Sequence, residues 1–241
     1  MEITFLVVMA IVLSAALSVL AYMLHCLTRG GAVASFLVGA FVGVFASINA
    51  FFLLTVFTIA GFVATMRDFD RKKAQGLQEG ELGERTWKNV LGVGLPPCIA
   101  VALECLGLLD QTAFAVMFIS TITVAGADTI ASEVGIKDRN VYMITTFERV
   151  EPGVNGGVSK TGTIVSTFAA LMVAILGWFV LTESLSWMLL IPFAMGVLGN
   201  LLDSVFGAVL ENPGYISKYT NNCSTAIIGA LVGLLVYMLV A

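Results

Sequence analysis

The chain has 241 residues, of which 59% are hydrophobic and only 12% charged, about half the charged share of an ordinary soluble domain. At a mean hydropathy of +0.98 a soluble fold of this length could not bury its apolar surface, so the solvent is lipid, and water-soluble, disordered and collagen-like classes are excluded. A formal net charge of -4 gives no basis for nucleic-acid binding, and the four cysteines, Cys26, Cys98, Cys105 and Cys223, form no CxxC pair and read as small core residues.

Eight apolar stretches follow one another: Ile3–Leu24, Ala32–Ala46, Ala50–Met66, Val90–Leu109, Ala113–Val134, Thr161–Leu181, Trp187–Leu210 and Cys223–Val240. Several approach the ~20 residues that a helix needs to cross the hydrocarbon core. The first is led by Glu2 rather than by lysines and is too long for a secretory signal, so it counts as a span. The second and third form a single uncharged block from Gly30 to Met66, which one helix would carry about twofold beyond the bilayer. A fold-back near Ser47–Asn49 is expected, with a span followed by a re-entrant segment as the alternative. The expected fold is all-α, a polytopic integral membrane helix bundle of about 7–8 transmembrane segments. It forms one membrane-embedded domain over 1–241, with polar loops at 67–89 and 135–160 too poor in apolar residues for cores of their own.

Threading eight spans puts all twelve basic residues on one side: Arg29; Arg67, Arg71, Lys72, Lys73, Arg85 and Lys88; Lys137, Arg139, Arg149 and Lys160; and Lys218. The opposite side carries only Glu2, Asp110 and Glu183. The positive-inside rule makes the basic loops cytoplasmic and puts both termini outside a multi-pass cell-membrane protein.

A charge within a span costs about 2.5–3.5 kcal/mol on insertion scales and needs a reason. Glu104 is near the external end of span four, can snorkel outward and reads as structural. Asp128 and Glu133 belong to AGADTIASEVG at the cytoplasmic end of span five, where Asp128 with Ser132 and Thr129 with Glu133 are four residues apart and form a polar wedge. Two anions near hydrocarbon are stabilised most simply by a divalent cation. Asp203 shares a helical stripe with Asn200, Ser204, Gly207 and Glu211. Asn200 and Gly207 on that stripe also suit ordinary helix packing.

Between spans five and six, TTFERVEPGVNGGVSKTGT combines Gly153, Gly156, Gly157 and Gly162 with Arg149, Lys160 and hydroxyls at Ser159, Thr161 and Thr163. Glycines let backbone N–H groups turn toward an anion, and a helix N-terminus adds its dipole, so this segment is expected to cradle phosphate. It is not a Walker loop, because Ser159 stands before Lys160 where that pattern needs glycine. In the loop 67–89, Arg85 and Lys73 are further candidate phosphate contacts, although such a basic band also serves as a topology anchor. His25 is the only histidine, cannot form a histidine metal cluster and reads as interfacial.

The run ADTIASEVG, followed by ITTFERVEPGVNGGVSKTGT, LLDSVFGA and YTNNCST, resembles an integral-membrane family that includes plant phytyl-phosphate kinases and many uncharacterised archaeal and bacterial members. The likeness extends from GGAVASFLVGAFVG to Asn221 and Asn222. Position by position it covers Asp128, Ser132, Glu133, Thr145, Thr146, Gly153, Asn155, Gly156, Gly157, Ser159, Asp203, Ser204, Gly207, Asn221 and Asn222. Glu211 stands where Gln is expected, Asn222 where Asp is common, and Ser224 where a second Asn is common.

The resemblance implies a lipid kinase that passes a phosphoryl group from a nucleoside triphosphate, CTP being one candidate, to an isoprenyl monophosphate. In that reading Asp128, Glu133 and Asp203 hold Mg2+ or another divalent cation. The glycine loop, Arg149 and Lys160 neutralise the transferring group, while Thr145, Thr146, Ser204, Asn221 and Asn222 contact substrate phosphates. A nucleotidyltransferase making a CDP-lipid uses the same parts. An ion or small-anion transporter is the non-enzymatic alternative, although its site would be expected near the midplane rather than at one face.

Overall fold

The computed structural model describes residues 2–67, 69–74 and 80–241, so part of the expected 67–89 loop lies outside the described residues. The chain divides into two compact units, Met1–Phe114 and Ala115–Ala241.

In the first unit α1 (Glu2–Met23), α3 (Ile48–Met66) and α5 (Trp87–Cys105) pack on α2 (Arg29–Phe45), and a short α4 (Phe69–Ala74) follows α3. Small residues make this possible. A Cβ on Gly39 would stand 2.5 Å from Ser14 Oγ on α1, one on Gly43 2.7 Å from Ala10 Cβ, and one on Gly94 of α5 2.9 Å from Val38 Cγ1. Close backbone approach of this kind holds helices together where lipid supplies no hydrophobic drive.

The uncharged block breaks where its polar residues stand. Ser47 caps α3 by accepting the Ala50 N–H at 3.1 Å, and the preceding helix ends at Phe45. With 17 residues, about 25 Å, α2 is short, whereas among the described residues seven helical segments are each long and apolar enough to cross a membrane. α5 starts at Trp87, ahead of the expected stretch from Val90, where the Thr86 N–H donates to Asn89 Oδ1 at 2.8 Å and caps the helix.

The second unit contains α6 (Gln111–Gly135) from Ala115 onward, α7 (Lys160–Thr182), α8 (Leu190–Phe206) and α9 (Lys218–Val240). A 3-10 turn at Trp187–Leu189 leads into α8, and a π-helical turn at Gly207–Glu211 follows it. α6 is buried without interruption from Ala115 to Ala127. Gly196 and Gly199 of α8 come so close to Thr123 and Val124 that a Cβ would fall 2.3 and 2.4 Å from their methyl groups. Gly229 and Gly233 of α9 similarly meet Val124 and Ser120.

The segment between α6 and α7 is not a simple loop. It forms an antiparallel sheet of β1 (Val141–Met143), β2 (Arg149–Val150) and β3 (Gly157–Ser159) in the order β2-β1-β3, with Val141 opposite both Val150 and Ser159.

Candidate functional site

The side chain at the centre of the site is Asn221, in the first turn of α9 and only 1% exposed. Its Nδ2 faces three acceptors on the α8 side: Asp203 O at 3.1 Å, Asp203 Oδ1 at 3.2 Å and Glu211 Oε2 at 3.3 Å. One turn further, Thr225 Oγ1 donates to Asp203 Oδ2 at 3.1 Å. Both oxygens of Asp203 are thus held from α9. The charged groups acting on this carboxylate are Asp128 of α6, then Glu211 and Lys218. The carboxylates of the fifth and seventh expected spans are therefore electrostatic neighbours.

The glycine loop closes on the same place. Asn155 Nδ2 donates to Glu211 Oε1 at 2.9 Å, and Asn212 Nδ2 donates to the Asn155 carbonyl at 2.9 Å. Gly156, with φ +80°, lies against the π-helical turn, where a Cβ would stand 2.6 Å from Ala208 Cβ and 2.8 Å from Ser204 O. A side chain here meets both a left-handed backbone and a wall, so glycine is required. Gly207 makes the reciprocal approach, 3.0 Å from its added Cβ to Gly156 N. π-helical turns of this kind recur at functional sites.

Other expected residues are placed differently. Of the glycines expected to cradle phosphate, two have their N–H groups taken within the chain: the Gly157 N–H donates to Val154 O at 3.0 Å and the Gly162 N–H to Ser159 Oγ at 3.0 Å. The N-terminus of α7 has an anion from the chain itself. Asp138 accepts from the Asn140 N–H at 3.0 Å and from Thr161 Oγ1 at 2.9 Å, and these donors, the Asn140 amide foremost, hold its carboxyl below the ordinary carboxylate range. Gly153, with φ +92°, is exposed. Lys160 is exposed at the first position of α7, and Arg149 on β2 donates to Arg139 O at 2.9 Å. Thr145 and Thr146 occupy the exposed β1–β2 turn, where Thr146 Oγ1 accepts the Glu148 N–H at 3.3 Å.

Ser204 Oγ and Ser132 Oγ turn back onto their own helices, to Asn200 O and Asp128 O. The Asn222 carbonyl lies 3.3 Å from Thr225 Oγ1, and Asn200 Nδ2 bridges to Ser166 Oγ of α7 at 3.1 Å, a packing contact. Arg85 and Lys73 belong to the first unit, where Arg85 Nη2 donates to Thr65 Oγ1 at 3.0 Å and Lys73 Nζ to Glu81 O at 3.3 Å.

The expected trio of metal-binding carboxylates does not assemble: among the described residues no group of three or more His, Cys, Asp or Glu is placed to hold an ion. Helix geometry supplies the reason, since residues five apart, such as Asp128 and Glu133, are rotated about 140° around the axis. A smaller donor set remains. Asp128 acts electrostatically on Asp203, and Asn221 Oδ1 is a buried acceptor with no hydrogen-bond partner among the described residues. These hard oxygen donors fit Mg2+, which binds through one or two carboxylates and completes its shell with phosphate oxygens and water.

Residues 12–236 match the family described as integral membrane protein DUF92, and the chain belongs to that family. It is similar to the uncharacterized membrane protein MJ0933 of Methanocaldococcus jannaschii, 31% identical over 88% of this chain and 87% of that one. Protein VTE6, chloroplastic, of Arabidopsis thaliana is 27% identical over 88% of this chain and 65% of its own length. Protein PGR of Arabidopsis thaliana is 28% identical over 88% of this chain and 82% of its own. No solved structure gives a significant match.

Proposed function

We propose that this multi-pass membrane protein is a lipid kinase. It transfers the terminal phosphoryl group of a nucleoside triphosphate, with CTP among the candidates, to an isoprenyl monophosphate at the cytoplasmic interface. The observation that carries this reading is the convergence of segments distant in sequence, Asn155–Gly156, Asp203–Asn212 and Asn221–Thr225, on one polar network at an end of the second unit. Family membership and the resemblance to plant phytyl-phosphate kinases support it.

In the proposed reaction an oxygen of the acceptor phosphate attacks the γ-phosphorus, the bond to the β-bridging oxygen breaks, and nucleoside diphosphate leaves. The acceptor is already an anion, so positioning and charge neutralisation can supply most of the acceleration without a strong base. Asn221 and Thr225 orient the Asp203 carboxylate. When bound, Mg2+ would be held by Asp128 and Asp203 with Asn221 Oδ1, and would neutralise phosphate charge. The isoprenyl tail stays in the bilayer while its head reaches the site.

The test is a labelled nucleotide offered to purified protein in detergent with prenyl alcohols, prenyl monophosphates or phosphatidic acid. Nucleoside diphosphate is expected only with a prenyl monophosphate and Mg2+. Pyrophosphate release would mark nucleotidyl transfer to a lipid instead, and solute flux into liposomes without nucleotide turnover would mark a transporter.

A further inference from the structure

Glu211 ends the π-helical turn, whose wider step is closed by the Asn212 N–H on Gly207 O at 3.0 Å. One extra residue in the turn rotates everything after it relative to a regular helix. The carboxylate thereby reaches two partners that are neither on α8 nor near each other in sequence. Its Oε1 takes Asn155 Nδ2 from the glycine loop at 2.9 Å, and its Oε2 takes Asn221 Nδ2 from α9 at 3.3 Å. The next residue, Asn212, holds the Asn155 carbonyl, so the loop residue is gripped through both side chain and backbone. Asn221 passes the connection on to Asp203 through the same Nδ2.

We infer that Glu211 is a positioning residue, a latch that fixes the glycine loop on the α8–α9 junction and sets its register to the Asp203 carboxylate. Both carboxylate oxygens are engaged by amide donors, which suits a latch rather than a metal ligand. Gln in its place keeps one acceptor for Asn221 and offers a donor to Asn155, whose amide can turn over to accept it. Ala removes both contacts. The inference rests on the kinase reading only for its effect on turnover; the latch itself is tested without activity.

Hydrogen exchange of the purified protein in detergent provides that test, comparing wild type, Glu211→Gln and Glu211→Ala over peptides covering 151–160, the start of α9 and, in the first unit, α1. Glu211→Ala is expected to speed exchange in 151–160 about tenfold, the loss of charge-assisted hydrogen bonds, with α1 unchanged and Glu211→Gln close to wild type. If the kinase assay is active, Glu211→Ala should lower kcat about tenfold while KM for the prenyl phosphate stays within about twofold, and Glu211→Gln should restore kcat. Should Glu211→Ala fail to fold, Asn155→Ala replaces it and is expected to loosen the same peptide. Unchanged exchange in 151–160 would overturn the latch, as would equal loosening of the whole chain by Ala and Gln. A loosened loop in a protein without kinase activity toward any prenyl phosphate would keep the latch and overturn the kinase reading.

Discussion

The two units of this membrane protein use polar side chains differently. In the first, they serve the ends of helices, where Thr28 accepts the Gly31 N–H, Ser47 the Ala50 N–H and Asn89 the Thr86 N–H, or make cross-element contacts without a carboxylate, Ser14 Oγ to Phe36 O and Arg85 Nη2 to Thr65 Oγ1. The contacts of α2 with its neighbours there are made by glycine, alanine and valine. In the second, polar groups bridge separate elements, as in Asn200 to Ser166, Thr225 and Asn221 to Asp203, and Asn155 to Glu211. Interhelical hydrogen bonds such as Asn200 to Ser166 are ordinary packing glue in lipid, whereas carboxylates held across elements beside hydrocarbon, at a cost of several kcal/mol, call for a chemical reason.

That contrast can be broken at either end. The largest effect is expected in the second unit from Asp203→Asn, which should lower turnover by about a thousandfold while detergent gel filtration and the melting temperature remain near wild type. Next comes the first unit, where Gly39→Val pushes a side chain into Ser14 Oγ, 2.5 Å from the added Cβ. Overpacking should cost about 1–3 kcal/mol and lower the melting temperature, with turnover per folded molecule unchanged. If Gly39→Val left stability intact and abolished turnover, the division of labour between the units would be wrong.

Thr225→Val removes one donor from the Asp203 carboxylate, worth about 1 kcal/mol, and should lower kcat/KM about fivefold in steady-state assays. The smallest effect belongs to Asp138. Its carboxyl is held below the ordinary range when folded, so its contribution to stability is present above the unfolded value of about 3.9 and disappears as pH falls through the lower folded value. Melting curves should therefore favour wild type over Asp138→Asn near neutrality and converge in acid.

Much of the helical frame was legible because lipid imposes length and apolarity on every span. Each apolar stretch overlaps a helix, and the Gly30–Met66 block turns at Ser47, where a capping hydroxyl stands. The sheet was not legible, since strands of two or three residues leave no alternation to detect. Asp203 and Asn221 could be singled out because polar residues within apolar runs are conspicuous. Glu133 was grouped with Asp128 by sequence proximity, which ignores the rotation of five helical steps. The α8 stripe included Glu211 but could not connect it to Asn155 and Asn221, which stand on other segments of the chain. Asp138 and Thr225 were also missed, although Thr225 follows Asn221 by one turn and shares its face.

A double-mutant cycle of turnover on Asp128→Asn, Asp203→Asn and the combined variant tests the central claim most directly. If the two carboxylates hold one cation on one phosphate group, either single change should remove nearly all activity and the double variant should be no worse than the singles. Multiplying losses in the double variant, or full activity in either single one, would contradict a shared site.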